Sequence, residues 1–374
     1  VTRTKEENIM VENKYEALGI NIYGGGFSLG VLQSGRFEVK NQWEECDAGA
    51  KTFDLNRERY FKGIHRPLRF EEWDPFASPR FIYANPPCAP WSAANTRIGM
   101  TKDVRRADPR LAMTKRSMET ALQLKPGVFA LETVARGYSM GRAYYDGWAE
   151  QWIKAGYGVT YYLTDALLLG VPSTRQRFHF IAHRNDLAIS DEVNTRNFIP
   201  RTVSMAIEDL QDHFGHLPHH VPRRMSKNAH EMCSLIKEGR LLTGTDDPDN
   251  SDVQWAVAAC EWKPSFLNRK LVWDAPGYTI VNLEQHVHPK RPRFLTWREG
   301  LRLTGYPDDF LVAQPQGATQ AVLPIMGRHI AELAADSLDC EQKAQADLRL
   351  IDHRDFAKAY RPGNVREALE DSYF

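Results

Sequence analysis

Along the first 190 positions, apolar residues fall in short blocks set between polar or glycine-rich turns. ALGINIYGGGFSLGVLQSG (17–35) reads as strand, glycine-rich turn and helix. FEVKNQWEE (37–45) reads as a second strand ending in acids, and CDAGAKTFDLN (46–56) as a second helix. FIYA (81–84) and VFALE (128–132) are apolar runs of the length and kind that buried strands show. MTKRSMETALQLKP (113–126) has helical periodicity and stops at Pro126, and YYDGWAEQWIKAG (144–156) reads as a helix closed by Gly156. YGVTYYLTDALLLG (157–170) is strand-like, and RFHFIAHR (177–184) alternates as a strand. Strands alternating with helices predict an α/β fold with a doubly wound, mostly parallel sheet covered on both faces.

Past about position 190 the periodicity weakens, and short segments mix with His, Pro, Asn and Asp. A second, smaller domain is expected there. LTWREGLRL (295–303) and AVLPIMGRHIAELAADSL (321–338) read as helices, the second with Pro324 near its start. Residues 341–374 are charged and helix-prone.

Totals narrow the partners only slightly. Lys plus Arg equals Asp plus Glu at 48 each, so any nucleic-acid surface must come from local clustering of charge. The five cysteines are odd in number and far apart, which suggests neither a disulfide framework nor a zinc site. A reducing cytoplasm is the expected compartment. VTRTKEENIM (1–10) has no apolar leader core, no run reaches membrane-spanning length, and no internal repeat is evident. His213, His216, His219 and His220 lack a partner pattern for a metal, and none is expected.

Four stretches carry candidate chemistry. In ANPPCAPWS (84–92), three prolines in five residues make a stiff turn just past a strand end. Cys88 in that turn is either a buried, inert thiol or a nucleophile. GGGFSLG (24–30) follows a strand and opens a helix. Its glycines would let backbone approach a ligand, with Glu44 at the next strand end placed for ribose hydroxyls, or they simply make a turn. Glu132 ends its strand as a solvated acid or as a desolvated one able to hold a proton. Arg175 and Arg177 share one side of a strand, facing solvent or clamping a planar polar base.

In their order, these stretches resemble the DNA cytosine carbon-5 methyltransferases. The resemblance runs over about residues 17–336 through GGGFSLG, Glu44, PPCAPWS, Glu132-Thr133-Val134, STRQR (173–177), LTWREGLRLTGYPDDF (295–310) and TQAVLP (319–324). It implies a Rossmann-like methyltransferase fold. A catalytic and cofactor-binding domain over 17–189 would be completed by 317–336. A domain over 190–316 would hold the target-recognition region, and 337–374 would be an extension. It implies S-adenosylmethionine as cofactor, double-stranded DNA as partner and action as a monomer. Cys88 would attack carbon 6 of a flipped-out cytosine, Glu132 would protonate ring nitrogen 3, and Arg175, with Arg177 beside it, would bind the base oxygen. Tyr23, Gly24, Gly25, Gly26, Phe27, Glu44, Cys46, Ala321 and Val322 would hold the cofactor. Arg97, Lys102, Arg105 and Arg106, on a basic loop, would meet phosphates. Arg240 and Arg269 would flank a short recognition region, about 240–268, and read base edges.

The chain also departs from the family pattern. Tyr23 stands for the first glycine of the cofactor turn and Asn21 for the phenylalanine that stacks near adenine. Cys46, Ala89, Thr133 and Ser173 replace an aspartate, a glutamine, an asparagine and a glutamine, and Thr319 to Leu323 replace Gly-Asn-Ala-Val-Pro. The alternatives kept open are a related enzyme using a variant one-carbon cofactor, an RNA-directed relative, and a DNA-binding relative without transfer activity.

Overall fold

A computed structural model describes residues 14–65, 69, 79–93, 101–184, 199–210, 213–260, 267–340, 347–358 and 360–361. The chain opens with β1 (Tyr15–Ile20), α1 (Gly26–Gln33), β2 (Phe37–Trp43) and α2 (Asp47–Tyr60). It continues with β3 (Phe81–Ala84), α3 (Lys102–Arg106), α4 (Leu111–Leu124), β4 (Val128–Val134), α5 (Arg136–Met140) and α6 (Arg142–Lys154). β5 (Tyr157–Asp165) and a short 3-10 turn lead into β6 (Gln176–Arg184). Then come α7 (Val203–Ile207), α8 (Lys227–Leu235), α9 (Ser251–Ala259), α10 (Trp297–Leu303), α11 (Pro324–Asp339), β7 (Leu348–Asp352) and α12 (Arg354–Lys358).

Seven strands form one sheet in the order β2-β1-β3-β4-β6-β5-β7. β6 runs antiparallel to both β4 and β5, and the remaining pairs are parallel. This is the doubly wound, mostly parallel sheet that the alternation of strands and helices predicts. β3 and β4 are buried on both faces, which is why they read as continuous apolar runs. β6 is also buried almost throughout, so its apparent alternation does not mark a solvent face. One core packs α1 and α11 over the sheet, and the other packs α4 and α6 beneath it.

Local signals set several element ends. Lys125 closes α4 in the left-handed region before Pro126, Thr296 and Glu299 form a reciprocal capping box on α10, and Pro324 occupies the first turn of α11. The stretch expected to be helix-prone near the C-terminus supplies the short helix α12 and, before it, a strand. β7 is exposed at four of its five positions and is only five residues long within a charged stretch, yet it pairs with β5 at the sheet edge. Residues past 199 build two small cores of their own, one between α8 and α9 and one around α7.

The chain leaves β1 for β2 on one side and returns to β3 on the other. That reversal opens a crevice beyond the strand ends, where ligands bind in sheets of this kind. Among the described residues no helix is long and apolar enough to cross a membrane.

Candidate active site

A cavity of about 830 Å³ lies at this crevice. The turn after β1 contributes Asn21 and Tyr23, the segment after β2 contributes Glu44 to Cys46, and the turn after β3 contributes Asn85 to Ala89. Val134, at the end of β4, and Arg177 on β6 complete the sheet side. Val281, Asn282, Gln316, Thr319 and Gln320 close it from the C-terminal part of the chain, and Arg110 and Met113 from α4 and the turn before it.

The Cys88 turn is held rigidly. The Cys88 carbonyl accepts from the N–H groups of Trp91 and Ser92 at 3.0 and 3.1 Å. Trp91 is buried against Tyr144 and Tyr145, and Arg105 donates to the carbonyls of Pro90 and Ser92 at 2.9 and 3.2 Å. Cys88 itself is half-buried on the cavity wall. Burial pushes its thiol up from the ordinary value, while the Arg177 and Arg175 guanidiniums pull toward thiolate.

Glu132 is 2% exposed, so the solvated strand-end alternative does not describe it. Its Oε1 lies 2.6 Å from Arg177 Nε, and its Oε2 accepts from Asn85 Nδ2 at 2.8 Å. Burial raises its carboxyl above the usual range against the pull of Arg177 and Arg175. Arg177 therefore sits at the cavity beside the acid. Arg175, expected to bind a base oxygen, does not line the cavity. It is 2% exposed and donates to the carbonyls of Ile280 and Ala321 at 3.2 and 3.0 Å, tying the sheet to the C-terminal segment. Burial lowers its pKa to about 9.

At the other end of the cavity, Glu44 is 5% exposed. Its two oxygens accept the backbone N–H groups of Tyr23 and Cys46. Burial nevertheless raises its pKa to about 7. Each carboxylate oxygen keeps a second lone pair for a ligand hydroxyl. Tyr23 adopts φ 47° and Asn21 φ 52°, a region that glycine enters freely and a tyrosine enters at a cost. The Tyr23 hydroxyl accepts from Gln314 Nε2 at 2.9 Å, bridging the β1 turn to the C-terminal segment.

The glycines of this turn serve packing. A Cβ on Gly24 would lie 1.8 Å from the Gly317 carbonyl oxygen, and one on Gly26 would lie 2.1 Å from that of Val322. Gly25 has φ 77° and caps α1. Protein backbone occupies the space that a side chain on Gly24 or Gly26 would enter. Phe27 is fully buried in the core, and Ala321 and Val322 are buried behind the wall rather than on it. Of the nine candidate cofactor residues, Tyr23, Glu44 and Cys46 face the cavity.

The model of the C-5 cytosine-specific DNA methylase family matches residues 21–331. The chain belongs to this family. Its activity is DNA cytosine methylation, and methyltransferases of this family use S-adenosylmethionine. Among curated relatives, the type II methyltransferase M.MthTI of Methanothermobacter thermautotrophicus is 24% identical over 318 residues, 77% of this chain and 85% of the relative. M1.HphI of Haemophilus parahaemolyticus is 26% identical over 272 residues, 67% of each chain. The fold is shared with an E. coli prophage protein described as a DNA modification methyltransferase (TM-score 0.59, 21% identity, covering 87% of this chain and 100% of that one). It is shared as well with the Entamoeba histolytica methyltransferase EhMeth (TM-score 0.54, 12% identity, 87% and 99% covered).

The residues expected to meet DNA separate in this methylase. Arg97 and the Lys102 side chain lie outside the described residues. Arg105 is fully buried and anchors the Cys88 turn, which excludes a phosphate contact from this conformation. Arg106 is exposed. Arg240 and Arg269 are half-buried and donate to the carbonyls of Asp246 and Gly239 at 3.0 and 3.1 Å, so they build the loop between α8 and α9. His219 and His220 accept or share hydrogen bonds with Val312, Thr296 and Leu210, a structural use. Thr319 and Gln320, from the TQAVLP motif, also line the cavity, as do Asn85, Arg110 and Gln316, which no role was expected of. Asn85 has a sequence signal in its place beside Pro86-Pro87-Cys88.

Proposed function

We propose that this chain methylates carbon 5 of a cytosine rotated out of duplex DNA, through a covalent bond from Cys88 to carbon 6. The observation that carries this is one continuous cavity with Glu44 and Tyr23 at one end and Cys88 and Arg177 at the other, with Glu132 held by Arg177 just behind that wall. At about 830 Å³ it is within the range of ligand sites, about 300–1,000 Å³. The residues present fit S-adenosylmethionine. Glu44 offers carboxylate lone pairs to vicinal hydroxyls, and Tyr23 and Cys46 flank it. When bound, the cofactor supplies an electrophilic methyl group to carbon 5.

The chain's own residues handle the base. Cys88 gives its proton to water, a loss that the positive charge of Arg177 and Arg175 favours against the opposing effect of burial, and the thiolate bonds to carbon 6. Glu132 gives a proton to nitrogen 3, a role favoured by the burial that raises its carboxyl above the usual range. Arg177 holds the base oxygen and stabilises charge that develops on the ring. This role belongs to Arg177 because it lines the cavity and Arg175 does not. After methylation, the carbon 5 proton leaves to water, the bond from carbon 6 to sulfur breaks, and nitrogen 3 returns its proton to Glu132. Arg106 contacts phosphate.

Duplex DNA carrying 5-fluorocytosine tests the covalent step. Fluorine at carbon 5 cannot leave as a cation, so the adduct should persist through denaturing electrophoresis with wild-type protein and be absent with Cys88→Ala. Methylation of ordinary DNA with no trapped complex would overturn the covalent route.

A further inference from the structure

Asn85 links the end of β3 to the prolines before Cys88. It is 7% exposed and lines the cavity. Its backbone N–H donates to the Ile20 carbonyl at 3.1 Å, which fixes the residue to β1. Its Nδ2 donates to Glu132 Oε2 at 2.8 Å. Its Oδ1 has no hydrogen-bond partner among the described residues. Glu132 Oε2 is the accepting oxygen of this pair, so Glu132 sets which way the amide points: amino group toward the acid, oxygen away. A buried amide oxygen left unpaired costs about 1–3 kcal/mol. In a cavity wall, such an atom marks the place of a ligand donor.

The surroundings say which donor. Arg177 Nε lies 2.6 Å from the other Glu132 oxygen, so the acid is flanked on both sides. Arg177 and Asn85 line the cavity and flank Glu132, which lies just behind the wall, so the order is a donor, a carboxyl group and an acceptor. The pairing edge of cytosine presents, in order, an oxygen at carbon 2, an acceptor at nitrogen 3 and an amino donor at carbon 4. We propose that Asn85 Oδ1 accepts a hydrogen bond from the 4-amino group of the target cytosine, which makes Asn85 a base-recognising residue held in register by Glu132. The proposal rests on the function proposed above. A base with oxygen at carbon 4 meets Oδ1 as a second acceptor. Turning the amide around to suit it would set Oδ1 against the Glu132 carboxylate. The arrangement therefore favours cytosine over uracil and thymine.

A cycle between the residue and the amino group tests this. The methylated sequence is first mapped with the wild-type chain. Duplexes are then made with either cytosine or 2-pyrimidinone, which lacks only the 4-amino group, at the target position. The readout is the rate at which the Cys88 covalent complex forms. Comparing Asn85→Ala with wild type cancels the intrinsic reactivity of each base. Wild type should favour cytosine by about tenfold or more relative to the same comparison in Asn85→Ala, as expected for one buried hydrogen bond. A coupling below twofold overturns the proposal. Should Asn85→Ala not fold, Asn85→Asp replaces it, keeping an oxygen toward the amino group while placing a second carboxyl beside Glu132. It should retain the preference for the 4-amino group and shift the pH profile upward, because neighbouring carboxyls oppose each other's ionisation. Loss of the preference with an unmoved profile overturns the proposal. A wild-type chain that forms no complex with the cytosine duplex contradicts the covalent mechanism itself.

Discussion

Arg175 and Arg177 stand two residues apart and have opposite fates. Arg175 spends its donors on the carbonyls of Ile280 and Ala321, whereas Arg177 faces the cavity beside Glu132. Their common motif made both legible as site residues. It could not say which one faces a base, because that depends on the turn between β5 and β6, where Asp165 Oδ1 accepts the Arg175 N–H at 2.7 Å. Arg175→Ala should therefore act on stability, leaving two buried carbonyls unpaired at about 1–3 kcal/mol each and lowering the melting temperature. Arg177→Ala should cut kcat by about a hundredfold or more with a smaller change in melting temperature, as removal of one electrostatic stabiliser does. Comparable losses of kcat in both, with unchanged melting, would contradict this division. Glu44 gives a pH test. Its folded pKa of about 7 is above the ordinary 4.5, so the stability it contributes is full below pH 4.5 and is lost as pH rises through about 7. Without cofactor, the melting temperature of wild type relative to Glu44→Gln should fall between pH 4.5 and pH 8. A gap that stays constant, or grows in favour of wild type, contradicts the burial argument.

At the scale of elements, the turn into α1 carries two demands. It must present Tyr23 and the Glu44 contact to the cavity, and it must let α1 pack against α11 and the segment before it. The sequence pattern announces close approach through GGG but not what approaches. The answer lies in residues 317–327, nearly three hundred positions away: a Cβ on Gly30 would lie 2.1 Å from the Pro324 carbonyl oxygen. Gly26→Ala should thus destabilise by about 1–3 kcal/mol as overpacking does, through Val322, with reduced cofactor affinity following from the distortion. Thermal melting in the absence of cofactor checks it, and an unchanged melting temperature would restore the ligand-approach explanation. Elements with strong periodicity or end signals, such as α4, α10 and α11, were readable. β7 was not, since its five residues are too short a run to separate strand from helix within a charged stretch.

For the whole molecule, the equal counts of acidic and basic residues placed the DNA contacts in local clusters, and the structure thins the expected cluster. Arg105 is inside, bracing the Cys88 turn, while its neighbour Arg106 is outside. Arg105→Ala should lower the melting temperature and the rate of Cys88 adduct formation. Arg106→Ala should leave both nearly unchanged and reduce the slope of log affinity against log salt by about one. An Arg106 variant with an unaltered salt slope would remove it from the DNA surface. The order of motifs along the chain made the two ends of the cavity legible, because Cys88, Glu132 and Glu44 all sit at strand ends. On the far wall only Thr319 and Gln320 were legible, through the TQAVLP motif; Val281, Asn282 and Gln316 were hidden, since they reach the cavity only when the C-terminal segment folds back on β1. The most direct test of the account is nucleoside mass spectrometry of DNA incubated with the chain and S-adenosylmethionine, with Cys88→Ala in parallel. The account predicts 5-methylcytosine with the wild-type chain and none with the variant. 5-Methylcytosine from both, or a cytosine of some other added mass, would contradict it.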